Sequence, residues 1–135
     1  MRDSYHSLAL RPVIVPIVVS DNTAAVGTVI DRLGFESLTY AILTGTLADA
    51  DATFAVLLEE SDEDDTGFTA VVDTDLIGTE AAAGFTFADD GETRKIGYVG
   101  SKRFTRLTIT PTGNAGSAPI AAMAILADAH DRPTV

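Results

Sequence analysis

At 135 residues the chain is one domain's worth, long enough to bury about two-thirds of its unfolded surface around a single core. It contains no cysteine, which excludes disulfides, thiolate metal sites and a cysteine nucleophile, and it has no apolar run of ~18 residues that would span a membrane as a helix. A net charge of −11 disfavours a nucleic-acid partner, and a mean hydropathy of +0.21 argues against global disorder.

Residues 1–12 are mostly polar, without a continuous apolar stretch, so no secretory leader is expected. Pro12 and Pro16 flank Val13-Ile14-Val15 ahead of Ile17-Val18-Val19. Proline cannot donate a ladder hydrogen bond, so this segment reads as an edge strand or an extended lead-in, not a central strand. The division expected is an extended arm over 1–16, a sandwich domain over 17–128 and a polar tail over 129–135. After the turn cluster Ser20-Asp21-Asn22-Thr23, residues 25–30 form a short strand, and Asp31 to Phe35 a bend.

The stretch from Glu36 to Asp73 organises the rest. Leu38, Tyr40 and Ile42 alternate with Thr39, Ala41 and Leu43, the period of a strand with one buried face. Thr53 to Leu58 is apolar at nearly every position, as for a strand covered on both faces. Six of the seven residues from Glu59 to Asp65 are acids, and Thr66-Gly67 turns the chain into a third strand, Phe68 to Val72. Apolar residues in short strands and charges in turns predict an all-β domain, a single antiparallel β-sandwich.

Further on, Ala81-Ala82-Ala83 suits one helical turn before Gly84 and the β-favouring Phe85-Thr86-Phe87 end it. Asp90-Gly91 is the strongest local hairpin signal, with Thr93 to Val99 as the strand after it. Arg103 to Thr110 alternates with Phe104, Leu107 and Ile109 as the apolar set, with a slip at Thr105-Arg106. Pro119 to Asp128 fits a last buried strand, chosen over a short helix because turns bound it on both sides.

The chemistry-bearing residues form no strong constellation. Asp62, Asp64 and Asp73 partly match a calcium loop, with Gly67 at the sixth position and an acid at the twelfth. No helix flanks them and the twelfth residue is Asp rather than Glu, so a solvated hairpin loop is the favoured reading. No carboxylate pair stands out for glycoside hydrolysis, no G-x-S-x-G is present, and His6 and His130 lie in the tails. No cofactor is expected. Five of the nine basic residues (Arg94, Lys95, Lys102, Arg103 and Arg106) fall within 94–106, opposite in sign to the 59–65 loop. Pairing of the two between subunits is a minority expectation, because exposed pairs contribute little each.

Two segments carry a resemblance. Leu57 to Val71, with Ser61-Asp62 through Thr66-Gly67-Phe68-Thr69-Ala70-Val71, resembles a lengthened hairpin of jelly-roll β-sandwiches. Ile96-Gly97-Tyr98-Val99-Gly100-Ser101-Lys102-Arg103-Phe104-Thr105-Arg106-Leu107 resembles the "I-G-Y-x-G-x-K-R-Y-x-R-L" strand pair of a family of small tailed-phage and prophage virion proteins. Ile30-Asp31-Arg32-Leu33-Gly34-Phe35-Glu36-Ser37 is similar to that family's "I-D-x-x-G-[FY]-x-S" opening, and the last apolar strand, Ala118 to Leu126, is similar to the family's too. In order, these cover most of residues 25–128.

The resemblance implies a jelly-roll-like sandwich without catalytic residues: a decoration or cement protein on the capsid surface of a tailed bacteriophage, made in the host cytoplasm. The partners it implies are the major capsid protein and the chain itself, as a homotrimer at a local three-fold axis. The implied contacts are the arm, with Val13, Ile14 and Val15, and the basic segment with Arg94, Lys95, Lys102, Arg103 and Arg106. No nucleic acid or membrane partner is implied. The alternative is a carbohydrate- or receptor-binding module on the virion, against which stands the absence of Trp and the presence of only three Tyr.

Overall fold

Alternating apolar residues build the long strands, and in the computed structural model, which describes residues 2–134, every ladder is antiparallel. The strands are β1 (Ala9–Val19), β2 (Ala25–Val26), β3 (Ile30–Asp31), β4 (Phe35–Thr44), β5 (Thr53–Ser61), β6 (Thr69–Ala70), β7 (Leu76–Ile77), β8 (Phe85–Thr86), β9 (Thr93–Tyr98), β10 (Phe104–Thr112) and β11 (Ala118–Ala129). One turn of helix, α1 (Glu80–Ala83), is capped by the Thr79 side chain, which accepts from the Ala82 amide at 2.9 Å. One sheet runs β1-β11-β4-β9-β7 and the other β2-β10-β5-β6, with β3 also on β10 and β8 on β5.

Count β2 with β3, and β6 with β8, as single positions and set β7 aside as an edge addition. Eight positions remain, in which first pairs with last, second with seventh, third with sixth and fourth with fifth. That is the rolled-up long hairpin of a jelly roll, the fold class expected from the residues and from the resemblance. The core lies between the sheets, where Tyr40, Ile42, Leu58, Ile96, Tyr98, Leu107, Ile109 and Leu126 are at most 1% exposed.

Several local expectations change. Strand β5 is buried on one face only: Phe54, Val56 and Leu58 point inward while Ala55 and Leu57 face out. Leu57, at one of its outward positions, is 37% exposed. The third strand expected over Phe68–Val72 pairs only at Thr69–Ala70, with Val71 tucked in and donating its amide to Leu58 O at 3.0 Å. Asp90-Gly91 does not close a hairpin, because β8 before it and β9 after it belong to opposite sheets. There the chain crosses the end of the sandwich instead. Asp90 Oδ1 accepts the Leu47 amide at 2.8 Å and Thr44 Oγ1 donates to Asp89 O at 2.6 Å, which fixes the crossing.

The expected arm is corrected too. Residues 9–16 belong to β1, an eleven-residue strand paired along β11. It is an edge strand, as its prolines require, with register shifts between Pro12 and Ile14 and between Ile14 and Ile17. Val13 and Ile14 are 3% and 7% exposed, so they are core residues and not free to reach a partner; Val15 does face solvent. Residues 2–8 are anchored rather than extended: a 3-10 turn at Tyr5–Ser7 meets the C-terminal tail, whose Thr134 donates its amide to His6 O (3.1 Å) and its hydroxyl to Leu8 O (2.6 Å). Met1 and Val135, at the two ends of the expected arm and tail, lie outside the described residues.

Candidate interaction surface

The basic segment is already spoken for within the chain. Arg94 reaches Asp89 at 2.8 Å, Lys102 reaches Asp62 at 2.7 Å, and Arg106 reaches Glu59 at 2.9 Å while lying over the Phe68 ring. Arg103 clamps both oxygens of Asp31 at 2.8 Å and covers Phe104. The Arg103 hydrogen bond holds the Asp31 carboxyl below the usual carboxylate range, and the Asp62 contact raises the Lys102 ammonium. The basic segment and the acidic loop therefore do meet, but inside one molecule. Lys95, pointing outward from β9, is the member of the set with no ion pair among the described residues.

The calcium-loop residues are not brought together. Asp62 is held by Lys102, Asp73 opens a separate 3-10 turn beyond β6, and no cluster of three His, Asp or Glu suited to a metal occurs among the described residues. His6 pairs with Asp3 at 2.7 Å, and His130 with Glu36.

Sequence reasoning missed Arg32, which ties the bend ahead of the organising stretch to the basic turn. Its Nε donates to Lys102 O at 2.8 Å, its Nη2 to Gly100 O at 3.1 Å, and its guanidinium covers Tyr98. The Tyr98 hydroxyl donates to Glu60 at 2.5 Å and accepts the Lys102 amide at 3.0 Å. Burial first, then this bond to Glu60, pushes the Tyr98 phenol above its ordinary range.

The surface feature that stands apart is the outer face of the β1 sheet. Residues directly opposite in a ladder share a face, so the pairings trace it row by row. One row is Leu10-Ile125-Thr39-Gly97-Ile77, the next Pro12-Met123-Ala41-Lys95, the next Ala121-Leu43-Thr93, and the last Val18-Pro119. Leu10, Val18 and Leu43 are each more than half exposed. The five strands hold two acids, Glu36 and Asp128, both at one end, in a chain with 20.

Small Ala121 in the middle and the bulges of β1 leave two shallow hollows on this face. One, of about 350 Å³, lies along β1 from Leu10 to Pro16 against Leu43 and Met123; the other, of about 330 Å³, lies between Pro16–Val18 and Pro119–Ala121. Three strands ~4.8 Å apart and four rows ~7 Å apart make an apolar patch on the order of 300 Å². Covering it is worth roughly 7 kcal/mol at ~25 cal/mol per Å², and the largest apolar patch on a soluble monomer, about this size, is often a functional one. The clue in the sequence was β11: Pro119, Ala121, Met123 and Ile125 are apolar at the outward positions as well as the inward ones.

No family model matches the chain, and no curated protein sequence matches it. Among solved structures, the PBSX exported protein XepA is similar with a TM-score of 0.58 at 16% identity, over 94% of this chain and 39% of that one. The chain thus spans about two-fifths of that protein's length. Fainter similarities are to the Clostridium thermocellum endo-1,4-beta-D-xylanase 10B modules (TM-score 0.47, 13% identity, 88% of this chain and 24% of that one) and to Bacillus endospore appendages (0.42, 11%, 90% and 88%). The XepA similarity shows a shared all-β sandwich fold.

Proposed function

We propose that this chain is a non-enzymatic structural protein of a tailed-phage particle, seated on the capsid surface and stabilising it by bridging neighbouring major capsid protein subunits. The observation that carries this is the apolar, nearly acid-free outer face of the β1 sheet on a rigid sandwich. A chain of net charge −11 that clears one face of acids is arranged for attachment there and for solubility elsewhere. The motif order across residues 25–128 and the fold shared with the PBSX exported protein XepA support a virion or exported setting.

Quantitative mass spectrometry of purified particles tests the reading. Hundreds of copies per particle, lost under conditions that weaken the head, are expected. A few copies confined to the tail would overturn it and favour a receptor- or carbohydrate-binding module.

A further inference from the structure

We draw no further inference here: the strongest candidate, the pair of apolar hollows along β1 on the outer face of its sheet, belongs to the surface already described, and nothing in the structure shows what covers it.

Discussion

The Tyr40 hydroxyl and Thr105 Oγ1 lie 2.5 Å apart in the middle of the sandwich, one on β4 and the other on β10, and both side chains are fully buried. This bond explains the apparent slip at Thr105-Arg106. The inward set of β10 is Thr105, Leu107 and Ile109 in unbroken alternation, and Phe104 is an outward residue half-covered by Arg103. A threonine can occupy the core because a tyrosine from the facing sheet satisfies its hydroxyl.

Tyr40→Phe and Thr105→Val each strand the other hydroxyl in the core and should cost about 1–3 kcal/mol. The double variant should lose less than the two single losses added together, by about 1 kcal/mol or more. Urea unfolding at unchanged m measures all three. Strict additivity would show that the two hydroxyls are not coupled.

Stability should fall at alkaline pH. Burial raises the phenol of Tyr40, partly offset by its bond to Thr105, and burial together with Glu60 raises that of Tyr98; both start from an ordinary value of 10.0. The unfolded chain ionises both near that value, and the folded one keeps them neutral. Their contribution is intact below about pH 10 and is lost as pH rises above it. Unfolding free energy measured from about pH 9 to 11.5 should decline, and less steeply in Tyr98→Phe. A flat profile in the parent would contradict the burial of the phenols.

Gly27 joins β1 to the other sheet. Its amide donates to Leu107 O at 2.7 Å, and an added Cβ would stand 2.6 Å from that oxygen and 2.6 Å from Val13 Cγ1. Gly27→Ala should therefore cost about 1–3 kcal/mol through backbone displacement. Gly34→Ala meets no neighbouring atom but imposes a φ of +92°, and its cost, about 1 kcal/mol, is conformational. Thermal unfolding of the two variants, with Val13→Ala added to each, separates the causes: Val13→Ala should relieve part of the first loss and none of the second.

Calcium should leave the protein unchanged. Asp62 is neutralised by Lys102 and Asp73 lies in a different turn from Asp64. Addition of millimolar calcium is expected to move the thermal midpoint by less than about 1 °C, and a rise of several degrees would reveal a site by linkage.

The fold class was legible because period-two alternation, Gly/Pro/Asp punctuation and the acid-rich loop are local signals, each set by backbone geometry a few residues at a time. β4 and β11 follow from such patterns, and so does the one-turn helix at Ala81–Ala83. Pairing partners were not legible. The same Asp90-Gly91 step that closes a hairpin when its flanking strands are neighbours joins opposite sheets here, because β5 and β4 had already claimed β8 and β9. Burial was misread for the same reason: Val13 and Ile14 read as an arm until β11 covers them, and Thr105 reads as a flaw until Tyr40 meets it. The interaction surface is likewise a tertiary property. Leu10, Met123 and Leu43 are scattered over more than a hundred residues, and they become one apolar patch because antiparallel register sets their strands side by side with side chains outward.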